Sequence, residues 1–227
     1  MVMHMRTLLG ISLFFYCAHA FGATQPLPEL TALHQKIIST NPSFCHNAIN
    51  DLDYVTVKYW GFDNQEHDGV LLVHKELSKD IEAIFNELFK HRFPIHKIAS
   101  PYNPPLSDEA SMNQNLTIAF SCREVTGQPG ILSQHSYGRA IDINPLLNPY
   151  VKGDLILPAA AKAHIERNSA HKGKITRDSL IFKLFSERGW DWGGNWHNLK
   201  DYQHFEKRAN GELRNPRGYG KTAPTKN

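Results

Sequence analysis

Two short clusters carry side chains able to do chemistry. The first is Ser133-Gln134-His135-Ser136-Tyr137-Gly138-Arg139-Ala140-Ile141-Asp142-Ile143-Asn144-Pro145, and the second is Asp201-Tyr202-Gln203-His204-Phe205-Glu206. Two imidazoles and one carboxylate, His135, His204 and Asp142, around an open position make a donor set suited to one catalytic zinc ion. The same trio could hold Fe(II), although iron oxygenases usually bring His and Asp from an H-x-D pair, not from positions seven apart. A metal-activated water that attacks a carbonyl carbon must lose a proton to a nearby carboxylate. Asp201, three residues before His204, is the best-placed candidate. The developing oxyanion needs a positive group besides the metal. Arg123, at the end of the strand that leads into the first cluster, is the candidate for that role or for gripping a substrate carboxylate. Taken singly these residues prove little, because the chain has 13 histidines, a lone Asp can cap a turn and a lone Arg can make a surface ion pair. The combination carries the reading. His67, His74, His171 and His197 have no such company and read as structural or surface residues.

These groups must be held by particular local structure. Gly138 permits a tight turn after His135. From Arg139 to Asn144 the sequence alternates, which predicts Ala140, Asp142 and Asn144 facing a cleft and Ile141 and Ile143 entering the core. The same alternation puts Tyr202, His204 and Glu206 on one face, and Gln203 and Phe205 on the other. Upstream, Leu30, Leu33, Ile37 and Ile38 predict a helix from Pro28 to Thr40, stopped by Asn41-Pro42. Tyr54 to Phe62 and Gly69 to His74 read as a hairpin around Asp63-Asn64-Gln65. A helix opens with Ser78 as N-cap and Asp80 and Glu82 near its positive end. Its apolar stripe is Ile81, Ile84, Phe85, Leu88 and Phe89. Short strands are expected over Pro94 to Ser100 and Leu116 to Arg123, with a polar loop over Ser107 to Gln114 and a turn over Gly127 to Gly130. Leu146 to Pro158 reads as a connection and Ala159 to Asn168 as a short helix. Asp178-Ser179 begins another helix, with Ile181, Phe182, Leu184 and Phe185 inside and Gly189 as its stop. Trp190 and Trp192 read as core residues, whereas Trp196, beside the second cluster, is expected to line a substrate groove. Helices and antiparallel strands mix without a βαβ rhythm or an internal repeat, which predicts a single α+β domain.

Composition bounds the setting. Met1 to Arg6, an apolar Thr7 to Tyr16 and Ala18-His19-Ala20 have the form of a signal peptide over residues 1–20, cut after Ala20 or Ala23. The apolar run is well short of the roughly 20 residues a membrane span needs, so no anchor is expected after cleavage. An exported protein, periplasmic or extracellular, follows. The remaining chain, about 205 residues, is enough for one domain with a sizeable core. The net charge is +3, of which Arg6 leaves with the leader; that is too weak to argue for nucleic acid. Basic residues gather at Lys207, Arg208, Arg214, Arg217, Lys221 and Lys226, and residues 209–227 read as a flexible tail. Cys45 and Cys122 are the cysteines left after the leader. In an exported chain the pair is compatible with one disulfide, and equally with two buried thiols.

The pattern Ser133-x-His135-x-x-Gly138-x-Ala140-x-Asp142, then Asp201-x-x-His204, resembles the D-alanyl-D-alanine carboxypeptidase family of zinc peptidases, with a closer likeness to the endolysin-like L-alanyl-D-glutamate peptidase branch. That likeness extends through Ala119-Phe120-Ser121-Cys122-Arg123, Ile143-Asn144-Pro145, Asn148-Pro149-Tyr150 and Gly189-Trp190-x-Trp192-Gly193-Gly194-x-Trp196, over roughly residues 50–207 of a domain spanning 24–208. It implies a small central antiparallel sheet flanked by helices, with a zinc cleft on the sheet. It implies one Zn(2+) per chain held by His135, Asp142 and His204. Asp201 would be the base, where several relatives carry Glu. Arg123 would stabilise the substrate carbonyl and Ser133 would touch substrate. The expected partner is peptidoglycan or a muropeptide, and the expected state a monomer. The alternative is a non-catalytic zinc-containing module that binds wall or ligand, as the related hedgehog signalling scaffold shows is possible.

Overall fold

A computed structural model describes residues 27–99, 107–168 and 171–214. The expected leader and the last part of the tail lie outside the described residues. Helix α1 (Leu27–Thr40) ends where Pro42, which cannot continue a helix, follows Asn41. A short turn leads into α2 (His46–Ile49). Strands β1 (Leu52–Trp60) and β2 (Glu66–His74) then pair antiparallel, from Leu52 opposite His74 to Trp60 opposite Glu66. The ribbon is longer than apolar alternation predicts, because backbone pairing continues through the exposed Glu66 and Asp68 and the half-buried His67 without needing apolar side chains.

Each face of this hairpin is covered. Val55, Val57, Tyr59, Leu71 and Val73 pack against α3 (Ser78–Lys90), whose Ile81, Ile84, Phe85 and Leu88 are buried at the predicted helical spacing. Leu72, on the opposite face, packs with Ile37, Cys45 and Ile49. Two covered faces explain why Leu71, Leu72 and Val73 are buried in succession. Ser78 does not cap α3. Leu77 holds the cap position, and Ser78 Oγ donates to Asp53 Oδ2 at 2.8 Å, tying the helix to β1.

The second half is built from shorter pieces. Strand β3 (Lys97–Ile98) runs parallel to β4 (Leu116–Thr117), with α4 (Asp108–Asn113) between them in the chain. A hairpin of β5 (Glu124–Val125) and β6 (Gln128–Leu132) precedes β7 (Ala140–Asp142). A second hairpin pairs β8 (Tyr150–Lys152) with β9 (Leu155–Leu157). After α5 (Leu180–Ser186) come β10 (Asp191–Trp192), β11 (Lys200–Asp201) and β12 (His204–Glu206). Two antiparallel sheets result, ordered β10-β12-β7 and β11-β8-β9. Ile141, Ile143, Phe185, Trp190, Trp192 and Phe205 join the hairpin's core, and Phe205 stacks on Phe185 at 4.1 Å. The fold is α+β, and no helix among the described residues is long and apolar enough to cross a membrane.

Several expected boundaries move. Residues 107–114 are not a loop: Ser107 Oγ accepts from the Ala110 amide and Asp108 and Glu109 fill the first turn of α4, a start signal that the polar composition hid. The strand expected over 94–100 is confined to Lys97–Ile98 and that over 116–123 to Leu116–Thr117. Gly130 lies inside β6, so the turn falls earlier than expected. Leu146 to Pro158 contains the β8–β9 hairpin. Ala159–His164 is a 3-10 helix. Alternation after β7 stops at Asn144, which takes a positive φ of 48° and turns its side chain to the Pro94 carbonyl and the His96 amide. The tail also begins later than predicted, since the Arg214 amide donates to Asp191 Oδ2 at 3.1 Å. Cys45 and Cys122 form a disulfide.

Candidate metal centre and cleft

Register brings the first two donors together. β12 pairs with β7 so that His204 lies opposite Asp142, Phe205 opposite Ile141 and Glu206 opposite Ala140. His204 Nδ1 is 2.9 Å from Asp142 Oδ1. The third donor arrives on the one-turn helix Gln134–Tyr137, where Ser133 Oγ accepts from the His135 amide and Gly138 closes the turn at φ 63°. A side chain at Gly138 would also collide with the backbone of His74, and the His74 amide donates to the Gly138 carbonyl at 2.8 Å. The turn is therefore docked on the β1–β2 hairpin. His135 Nε2 ends 3.2 Å from Asp142 Oδ2 and 3.1 Å from His204 Nδ1. One donor atom from each of these three buried residues lies within 4.8 Å of the others.

The outward nitrogens are also engaged. His135 Nδ1 is 2.6 Å from the Ala119 carbonyl, a contact that requires the proton on Nδ1 and leaves Nε2 as a lone-pair donor. His204 Nε2 is 3.1 Å from Glu206 Oε2, which assigns Nδ1 as the inward donor. Burial would raise the Asp142 carboxyl, but the charges and hydrogen bonds of His135 and His204 outweigh it and hold the group well below the usual carboxylate range. Burial would likewise lower His204, yet Asp142 and Glu206 on its two sides raise it well above its ordinary value. The trio is thus an arrangement that attracts positive charge, and its nitrogen and oxygen donors fit zinc.

An open cleft enclosing roughly 710 Å³, its solvent mouth included, adjoins the trio; Asp201, Arg123, Ser133, Trp196, Tyr150 and Glu206 are among its walls. Asp201 sits on β11 opposite Tyr150, and Tyr202-Gln203 turn the chain into β12. The alternation expected from Tyr202 to Glu206 is therefore confined to β12, and Asp201 and His204 lie on two sheets. A side chain at Gly193 would overlap Asp201, so that glycine permits the close approach. Asp201 Oδ1 is buried and finds no hydrogen-bond partner among the described residues. Burial pushes this carboxyl up to about 6, the condition for a carboxylate that is ionised at neutral pH yet accepts a proton readily. Arg123 follows Cys122 of the disulfide; its Nε is 2.9 Å from Asp108 Oδ1 and a terminal nitrogen 3.9 Å from Asp142 Oδ2. Trp196 is buried, with Nε1 donating to Asp191 Oδ2, its ring centroid 5.3 Å from that of His204 and the Arg214 guanidinium 4.1 Å above it.

Residues 126–207 match the family model described as D-alanyl-D-alanine carboxypeptidase. This segment is similar to the D-alanyl-D-alanine carboxypeptidase family. The match supports a zinc metallopeptidase, and it contains the trio, Ser133, Asp201, Trp196 and Glu206. No curated protein and no solved structure matches the chain.

The matched segment is shorter than the stretch over which the motifs suggest likeness, and Arg123, Asp108 and the hairpin under Gly138 lie before it. Sequence reasoning missed Glu206, although its place on the His204 face was a usable signal. It gave no role to Tyr150, marked only by the Asn148-Pro149-Tyr150 likeness, and missed Asp108, which no local pattern marks. His67, His74, His171 and His197 stay outside the trio: His67 contacts Asp63, His74 lies between Arg139 and Glu76, and His171 packs on His164.

Proposed function

We propose that this chain is an exported zinc-dependent peptidase that hydrolyses a peptide bond in peptidoglycan stem peptides, of the D-Ala-D-Ala carboxypeptidase or L-Ala-D-Glu endopeptidase type. It acts as a monomer with one zinc per chain. The observation that supports this most is the convergence of His135, Asp142 and His204 beside a cleft that also holds Asp201 and Arg123. His135, Asp142 and His204 would hold the zinc, which would supply Lewis acidity for the scissile carbonyl and for the attacking water at neutral pH.

The chain's own groups do the remainder. Asp201 takes the proton of the attacking water as the new C–O bond forms. It then returns that proton to the leaving nitrogen as the C–N bond breaks. Arg123, steadied by Asp108, offers N–H groups to the carbonyl oxygen as its charge grows, or to a substrate carboxylate. Ser133 and Trp196 line the cleft, and substrate contact by either is compatible with their structural duties at the His135 turn and beside His204. The Cys45–Cys122 disulfide suits an oxidising compartment outside the cytoplasm. A binding module without turnover has no use for a buried carboxylate with one oxygen left unpartnered in its cleft, which favours the enzyme.

The test is digestion of purified peptidoglycan with identification of the new termini by mass spectrometry. Activity should vanish on chelation and return with one equivalent of zinc. Full activity in strong chelator would sink the reading. A free D-Ala product, a new D-Glu amino terminus, or a cleaved cross-link would tell the bond types apart.

A further inference from the structure

We infer that Glu206 is a positioning residue for the metal centre and that Arg208 locks it in place. This rests on the reading of His135, Asp142 and His204 as metal ligands, and it concerns a carboxylate that no local motif singled out. Glu206 is 2% exposed. Its two oxygens have separate duties: Oε2 is 3.1 Å from His204 Nε2, and Oε1 accepts from Arg208 Nε at 2.8 Å. The carboxylate thus bridges an imidazole and a guanidinium.

Strand geometry explains why this position can do it. Glu206 and His204 are two apart on β12, so both side chains leave the same face of the sheet. His204 needs its Nδ1 directed at Asp142, and a half-turn about Cβ–Cγ would put the carbon Cδ2 there instead and withdraw Nε2 from Glu206. A carboxylate on the Nε2 side resolves the choice. It accepts the Nε2 proton, fixes the tautomer with a lone pair on Nδ1, and makes that nitrogen a stronger donor. His135 reaches the same end through a neutral acceptor, the Ala119 carbonyl. The two imidazoles therefore differ in donor strength by design of their outer partners, His204 having the charged one. A buried carboxylate without a partner of its own would be costly, and Arg208, adjoining the matched family segment, supplies it.

The test is zinc affinity, measured by competition with a chromophoric chelator on the full mature chain, together with the visible spectrum of the cobalt-substituted protein. Glu206→Ala should weaken zinc binding about ten- to hundred-fold. Glu206→Gln retains the shape but loses the charge, and should fall between Ala and wild type while shifting the cobalt bands. Arg208→Ala should weaken binding less than Glu206→Ala, and Arg208→Lys should restore part of the loss. If the Ala variant fails to fold, the Gln and Arg208 variants still decide. Wild-type zinc affinity and an unchanged cobalt spectrum in Glu206→Gln and Arg208→Ala would overturn the inference while leaving the proposed function standing. A wild-type chain that binds no zinc would overturn the metal reading itself.

Discussion

The hairpin-and-helix half, residues 52–90, and the site half, residues 116–206, reach order by opposite means. In the first, nine paired positions run without interruption along β1 and β2, and α3 lays a four-residue apolar stripe across them. In the second, the strands that carry His204, Asp142 and Asp201 have two or three residues each. Such strands make too few ladder bonds to hold themselves. Buried polar side chains take over. Asn148 donates to the carbonyls of Ile143, Asn144 and Gly173, while its Oδ1 accepts from the Ile175 amide and from Arg167. Arg167 reaches three carbonyls and lies 4.4 Å over the Tyr202 ring, beside the turn that separates Asp201 from His204. Apolar burial is forgiving of small shifts, whereas hydrogen bonds fix distance and direction. The half that must hold catalytic atoms in place is built with the directional interaction, and it rests through Gly138 on the half built with the other.

That division can be broken by experiment, beginning with the largest effect. Asp201→Asn should lower kcat by about 10²–10⁴-fold with zinc affinity retained. Loss of the metal in this variant would make Asp201 a ligand and not the base. Arg123→Ala should lower kcat by roughly 10²–10³-fold with the circular dichroism spectrum unchanged; near-normal turnover would remove it from the mechanism. Asn148→Ala should cost about 3 kcal/mol in urea denaturation, since each buried group left unpaired costs roughly 1–3 kcal/mol, and should also weaken zinc binding because the chain after Asp142 is released. Ile84→Val, in the apolar half, should cost about 1 kcal/mol and leave zinc affinity and kcat as they were. If Ile84→Val disturbed zinc affinity while Asn148→Ala did not, the proposed division of labour would be reversed.

What could be read without coordinates follows the same line. Period-2 and period-3.6 patterning revealed β1, α3 and α5, because their burial is one-sided or striped and long enough to show a period, whereas β2 showed as a continuous apolar run from Val70 to Val73. The trio was legible because its spacing is local for His135 and Asp142, and because His204 follows a carboxylate at a suggestive interval. The helix at Asp108–Asn113 and the β8–β9 hairpin escaped, since pieces so short show no period and take their order from contacts made elsewhere.

By itself the sequence determined the donor types, the alternation that pairs buried isoleucines with Asp142, and the likeness of residues 126–207 to a peptidase family. Tertiary structure alone decided the rest. It set the register that lays His204 against Asp142, the cysteine pairing, the turn that puts Asp201 on a second sheet, and the Arg208–Glu206 bridge behind His204. The physical reason is range. Propensity and periodicity act between neighbours in the chain, whereas a metal site is closed by atoms 62 and 69 residues apart. Their distances are settled only when both halves of the core have packed.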